Sequence, residues 1–536
     1  MRLIQVSLKE AETFFGHAFS GVDHWLVPDR LPGIPDEWLD PSRLVTLAET
    51  EGMPKIHPFR EAFVPSTRLM TMTRGRKLLL DEVLSEVTLA DVDEHVRAGY
   101  LSYETALKDD GRRCGRCGAK VTGLIPGCGR CMKPCRYCRA CIQMGRVSSC
   151  SLFVVQSSRD VAHAQPASVT LDWQGELTAA QRKAATVLVS NVKAATPETL
   201  CWAVCGAGKT EMLFPLIHEA LQSGKRVMIA TPRTDVVKEL VPRLSEAFSN
   251  TVVTGFYGDC PDRFGDAELV IATTHQAMRF KQAFPLIIID EVDAFPYTAD
   301  ERLQFAVEDA LTPDGSLVYL TATPSAKLKR RALTGAVPYA RVPRRYHGHP
   351  LPVPKKIWIG EWQERLQKPK WRTPLSQKVI DWVNRRLAEE RPAFLFVPRI
   401  DLEEAVVNAL IAGCSGLTAD AIAHVHAADP DRAEKVTAFR EKRIKVIVTT
   451  SILERGVTIP GAQVAVLGAE DDVFTEAALV QMAGRAGRRA DQPDGDIAFF
   501  HYGATRAMNQ AIRHITGMNT EPVSDDSPKA GQSEGF

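Results

Sequence analysis

Two stretches of the chain alternate short apolar runs with amphipathic segments. From about 171 to 345 the runs fall at Leu200–Val204, Arg226–Ala230, Leu269–Ala272, Leu286–Ile289 and Leu317–Leu320, separated by segments of helical spacing. The alternation resumes at Ala393–Val397, Val446–Val448, Val464–Leu467 and Ile497–Phe500, ending near 515. Runs this short and this apolar suit strands of a parallel sheet whose two faces are covered by helices. The pattern predicts an α/β protein with two successive parallel-sheet domains, 161–345 and 350–515. A Pro-rich, basic hinge, Val342 to Lys356, lies between them. Residues 1–110 form an N-terminal region of weaker pattern, with prolines crowding 28–42 and helical spacing around Lys77–Val96. Residues 151–170 read as a polar linker, and the Ser-, Asp- and Gly-rich stretch 521–536 reads as a disordered tail.

Composition narrows this only slightly. A chain of 536 residues is too long for one core, and about three or four domains are expected. No apolar stretch approaches the ~18 residues of a membrane span. The N-terminus, MRLIQVSLKEAE, lacks the core of a signal peptide. A cytoplasmic protein is expected, with peripheral attachment to the inner face of the cell membrane left open. A formal net charge of +1 says nothing about partners. The distribution of charge and of cysteine says more.

Ala203-Val-Cys-Gly-Ala-Gly-Lys-Thr210 follows one apolar run and opens a helical segment. Strand, glycine-rich turn and helix N-terminus together make a phosphate cradle. Backbone N–H groups of Gly206, Ala207 and Gly208 face the phosphates, Lys209 reaches the β- and γ-phosphates, and the Thr210 hydroxyl ligates magnesium. Ala203 stands where the general pattern has Gly. Some 80 residues on, the run ending at Ile289 delivers Asp290-Glu-Val-Asp293. Asp290 is the candidate for the magnesium shell, and Glu291 for orienting the attacking water.

Thr321-Ala-Thr-Pro324 closes a further strand, and Gln481-Met-Ala-Gly-Arg-Ala-Gly-Arg488 lies in the second domain. In order and spacing this set resembles the superfamily 2 helicases and translocases over about 350 residues. The resemblance implies two RecA-like lobes with ATP in the cleft between them. Lobe one would supply Lys209, Thr210, Asp290 and Glu291, and lobe two Arg485 and Arg488, with Arg488 as arginine finger. It also makes Gln181 a candidate adenine reader. Nucleic-acid contacts are implied for Thr231-Pro-Arg233, Thr273-Thr-His275, Thr449-Thr-Ser451 and Glu454-Arg-Gly-Val457, which follow strands and suit phosphate oxygens. Asp-Glu-Val-Asp in place of Asp-Glu-Ala-Asp, and the lack of His before the first Gly of the Gln481 motif, separate the chain from the RNA-unwinding DEAD-box branch.

Eight of twelve cysteines lie between Cys114 and Cys150: Cys114, Cys117, Cys128, Cys131, Cys135, Cys138, Cys141 and Cys150. C-x2-C knuckles place two thiolates on one tetrahedral zinc, so one or two structural zinc sites are expected within a module spanning 111–152. The first four cysteines can form one site and the last four another, or Cys114/Cys117 can join Cys135/Cys138. Spacing does not choose. The same stretch holds nine Lys or Arg and no acid. Even two four-thiolate zinc centres would leave it at about +5, which suits a phosphate backbone.

A basic cysteine module reading Cys135-Arg-Tyr-Cys-Arg-Ala-Cys-Ile-Gln-Met-Gly-Arg146, placed ahead of the phosphate loop, with Asp290-Glu-Val-Asp-Ala-Phe-Pro-Tyr297 after it, resembles the ComFA family of late-competence ATPases over roughly 105–515. That resemblance implies ATP, magnesium and zinc as cofactors and single-stranded DNA as partner. It implies DNA uptake into the cytosol during natural transformation, beside competence proteins at the inner face of a membrane channel. Replication-restart helicases of the PriA type are the alternative, but their cysteines follow the phosphate loop. Intact Lys209, Glu291 and Arg488 count against a DNA clamp that uses ATP only as a switch.

Overall fold

A computed structural model describes residues 2–16, 24–47, 59–60, 62–157, 168–367, 375–454, 459–488 and 494–521. The tail beyond 521, linker residues 158–167, and Arg455, Gly456 and Val457 lie outside the described residues. The chain divides into two compact units, one of Met1–Gln174, Val192–Glu198 and Ile217–Val318, the other of Gly175–Asn191, Thr199–Leu216 and Tyr319–Phe536.

In the first unit the strands Val253–Phe256, Leu269–Thr273, Val227–Thr231 and Phe284–Asp290 follow one another across a sheet. Val227 registers with Leu269 on one side and Leu286 on the other, both in parallel. In the second unit Glu198–Ala203 pairs in parallel with Tyr339–Val342. Leu286 to Ile289 have no exposed surface, the condition that their unbroken apolar run anticipates. The helix Thr234–Ala247 buries Val236, Val237, Leu240, Leu244 and Ala247, spaced as one helical face.

The second unit also holds a six-stranded sheet in the order Lys355–Trp358, Ile497–His501, Gln463–Leu467, Ala393–Phe396, Val446–Thr449 and Ile422–Val425, parallel throughout. Its core packs Trp362, Trp382, Leu395, Val448 and Phe500. Two parallel-sheet lobes are therefore present, as the apolar pattern predicted.

The N-terminal region is better built than its sequence suggests. His24–Pro28, Leu3–Ser7 and Leu44–Val45 form one antiparallel sheet over a core with Trp25 and Trp38. Lys77–Leu79, Leu152–Gln156 and Leu101–Thr105 form another. Helical spacing around Lys77–Val96 resolves into a strand, a short helix Leu80–Val83 and the helix Leu89–Arg97. Strand pairing to Phe153 and Val154 takes the first three residues from the helix. The cysteine block leaves this sheet after Thr105 and returns to it at Leu152. It is an insertion between two paired strands.

Candidate nucleotide and zinc sites

Glu198–Ala203 leads into the phosphate loop, and Lys209 and Thr210 are the first two residues of the helix Lys209–Gln222. Gly206 and Gly208 sit at φ of 78° and 69°, a backbone that only glycine adopts without strain. A Cβ on Gly208 would also come within 2.4 Å of the Gln181 amide nitrogen. Gln181 is 4% exposed. Its Nε2 donates to the Ala207 carbonyl at 2.7 Å and its Oε1 accepts from the Thr178 N–H at 2.8 Å. Both ends of that amide are bound to backbone, so here Gln181 braces the loop.

The Gln481 motif ends the helix Glu476–Ala483 and packs on the same loop. Cys205 donates through Sγ to Gln481 Oε1 at 3.0 Å. A Cβ on Gly484 would lie 2.4 Å from the Cβ of Cys205. The buried Arg345 completes the contact: its guanidinium donates to the carbonyls of Ala486, at 2.7 Å, and Gly487. The neighbouring Tyr346 N–H donates to the Gly206 carbonyl at 3.0 Å. Burial, with Arg488 nearby, brings the Arg345 pKa down to about 10. Arg485 Nε donates to the Glu454 carbonyl at 2.9 Å, and Arg488 Nε to the Gly484 carbonyl at 3.0 Å.

In the first unit Asp290 ends its strand and Glu291 takes φ of 55°, the left-handed region that side chains other than glycine enter at a cost. Arg233 Nε lies 4.0 Å from Glu291 Oε2. Of the implied nucleic-acid residues, Thr231, Thr274 and Thr449 are fully buried, and Thr449 Oγ1 donates to the Val425 carbonyl at 2.7 Å. Arg233, His275, Thr450 and Ser451 keep exposed surface.

All eight module cysteines are buried and free of disulfides. They gather as Cys114, Cys117, Cys138 and Cys141, and as Cys128, Cys131, Cys135 and Cys150, with sulfurs within 4.8 Å of one another in each group. Neither grouping offered by spacing is the observed one. The hairpin of Gly123–Ile125 with Cys135–Tyr137 explains the exchange, because Ile125 faces Cys135 and its loop carries Cys128 and Cys131. Ser149 donates its N–H to the Arg136 carbonyl at 2.9 Å, which brings Cys150 to that end. Cys138 and Cys141 leave from the other end to meet the first knuckle. A tetrahedron with Zn–S of about 2.3 Å has edges of about 3.8 Å. The sulfur pairs 114/141, 117/138 and 138/141 stand at 3.7, 3.7 and 3.8 Å. Pairs 128/150 and 135/150 stand at 3.9 and 3.7 Å. Both groups fit zinc.

The module is bolted to the helix Glu301–Ala310, which follows Asp290-Glu291 in the same unit. Arg302 donates to the Ala140 carbonyl at 2.6 Å. Phe305 lies under Gly118, whose added Cβ would meet it at 2.7 Å, and under the Arg113 guanidinium at 5.0 Å. Lys77 reaches Asp309 and the Gly115 carbonyl. Arg116, 1% exposed, pairs with Glu82 at 3.0 Å, and Arg130 pairs with Asp81 at 2.6 Å. Two of the nine cations are thus neutralised locally. Arg112, Lys120, Lys133, Arg136 and Arg139 stay exposed.

Residues 61–155 match the family described as competence protein ComFA N-terminal domain. Residues 174–326 match the type III restriction enzyme res subunit, and 377–490 the helicase conserved C-terminal domain. Competence protein ComFA of Bacillus subtilis is 43% identical over 458 residues, covering 85% of this chain and 96% of that protein. The chain belongs to the ComFA family. ComFA of Streptococcus pneumoniae is 37% identical over 385 residues, 72% of this chain and 86% of its own. Replication restart protein PriA of Rickettsia prowazekii is 26% identical over 238 residues, 42% of this chain and 35% of PriA. As a ComFA-family protein with both helicase domains, the chain is a DNA-dependent ATPase of superfamily 2 with RecA-like lobes, and those domains imply ATP and magnesium. Among the described residues of this ComFA-family chain, no helix is long and apolar enough to cross a membrane. Sequence reasoning missed Arg345, Cys205, Phe305 and Arg302. Only Arg345 left a signal, as a cation at the start of the basic hinge.

Proposed function

We propose that this chain is the ATP-driven translocase that draws single-stranded DNA into the cytosol during natural transformation. Lys209 anchors the nucleotide phosphates with the loop Gly206-Ala207-Gly208, Glu291 orients the attacking water, and Arg488 is the arginine finger with Arg485 beside it. Thr210 and Asp290 offer only oxygen donors, as a hard cation requires, and are assigned to magnesium, which when bound neutralises charge on the β- and γ-phosphates. The two thiol groups each hold one zinc, and the module grips the phosphate backbone through Arg112, Arg136 and Arg139. Residues 111–152 act as the zinc module, 161–345 and 350–515 as the lobes. Competence proteins at the inner face of the uptake channel are the expected neighbours, and they would hold the chain at the membrane periphery.

One observation carries this reading beyond a generic helicase. The knuckle Cys138–Cys141 is fastened through Ala140 to Arg302, in the helix that follows Asp290-Glu291. A DNA grip is thereby tied to the segment that acts on ATP. Turnover should rise with single-stranded DNA of any sequence, more than with duplex or RNA. In a transformable host, loss of the chain should abolish transformation and spare growth and DNA repair. Normal transformation with sensitivity to replication damage would move the assignment to replication restart, the alternative that the PriA likeness keeps in play.

A further inference from the structure

Glu403 opens the helix Glu403–Gly413 in the second lobe, yet its side chain is 1% exposed. It faces the strand Ile422–Val425, which carries His424, and His426 follows two residues on, just past the strand's end. One ligand atom from each of Glu403, His424 and His426 lies within 4.8 Å of the others. The carboxylate is poorly compensated. His424 Nδ1 stands 3.4 Å from Oε2, while Oε1 has no hydrogen-bond partner, and neither does the buried Nδ1 of His426. The nearby cation, Lys435, is engaged by Asp429 at 2.8 Å and by the His424 carbonyl at 3.3 Å. Buried polar atoms in native folds are almost always paired, and leaving one oxygen of a buried carboxylate without a partner is costly. Two imidazole nitrogens and one carboxylate oxygen are a donor set for zinc and its divalent neighbours, with at least one coordination position left for water or another oxygen.

We infer that Glu403, His424 and His426 form a third metal site, built for a zinc-class divalent cation and distinct from the two thiolate sites. Its position gives it a role. Val425 registers with Thr449, and Glu403 accepts the Thr450 N–H. A cation held there fixes the segment Thr449-Thr450-Ser451 at the carboxyl end of the sheet.

Cobalt(II) is the probe, added to the full chain with its cysteine sites already loaded with zinc. The expected result is one further equivalent bound, with the weak visible bands of nitrogen and oxygen ligation and no intense thiolate-to-cobalt band. His426→Ala and Glu403→Gln should each weaken that binding at least about tenfold, since outer partners alone are worth that much. Zinc bound by the eight cysteines, and thermal unfolding with the third site empty, should be unchanged in His426→Ala. Absence of a further equivalent, a thiolate band in its place, or unweakened binding by His424→Ala/His426→Ala would each overturn the site.

Discussion

Replacing Arg345 with Met removes the fork that holds the Gln481 motif against the phosphate loop. The guanidinium makes two charge-assisted bonds, to Ala486 and Gly487, and each contributes about 1.5–3 kcal/mol. Against this, keeping the group charged at neutral pH with a pKa brought down to about 10 costs roughly 3 kcal/mol, at 1.36 kcal/mol per pH unit. The net contribution of the fork is then about 0–3 kcal/mol. Met fills similar volume and loses the charge, so nucleotide-free stability should fall by only about 1–3 kcal/mol, mostly for the two stranded carbonyls. Turnover should fall much further. Arg488 donates to Gly484 within the same segment, and an ångström of misplacement in a catalytic group is worth about a hundredfold. The assay pairs thermal unfolding without nucleotide against steady-state ATP hydrolysis with single-stranded DNA. A kcat reduced by about a hundredfold with KM little changed is expected. Arg345→Lys should recover only part of the loss, because an ammonium lacks the rigid planar fork whose two nitrogens each take one carbonyl. Normal turnover in Arg345→Met would refute the positioning role, and a stability loss above about 5 kcal/mol would make the residue structural.

Lys209→Ala and Glu291→Gln should each abolish hydrolysis, the second while leaving nucleotide binding intact, as fluorescent-nucleotide titration will show. Cys138→Ser and Cys128→Ser should each lose one zinc by elemental analysis, because their thiolates belong to different groups; loss of the same ion by both would contradict the exchanged pairing. Removing the charges of Arg112, Arg136 and Arg139 together should lower the slope of log affinity against log salt by about 0.7 per lost phosphate contact, with DNA-free turnover unchanged. Phe305→Ala should keep both zinc ions and bind DNA, yet lose DNA stimulation of hydrolysis; retained stimulation would show that the docking contact carries no signal.

The central strands were legible because burial on both faces leaves an unbroken apolar run, as at Leu286–Ile289. The edge strands Val253–Phe256 and Ile422–Val425 were not, since Thr254, Gly255 and His424 interrupt any such run and only pairing to a neighbour makes them strands. Lys209, Thr210, Asp290 and Glu291 announce themselves by type and context. Arg345 does not, because its task depends on carbonyls some 140 residues away. Cysteine spacing pointed to metal ligation but could not show the hairpin between Gly123 and Tyr137, and the hairpin decides how the cysteines group. Nine cations counted in sequence overstated the free charge, because Glu82 and Asp81 lie far off in the chain.

That the cysteine block interrupts a strand pair has a consequence for how such a protein can be cut or recombined. A domain joined by one linker can be transplanted by a single crossover. This one is joined at two points, Thr105 and Leu152, and rests on Phe305 and Arg302 as well. A motor fragment begun at residue 168 would lay bare Phe305 and leave Asp309 without Lys77. A grip fragment ended at residue 157 would lose the surface on which its first knuckle sits. Inheritance and engineering alike must therefore move the cysteine block together with its flanking strands and the helix Glu301–Ala310.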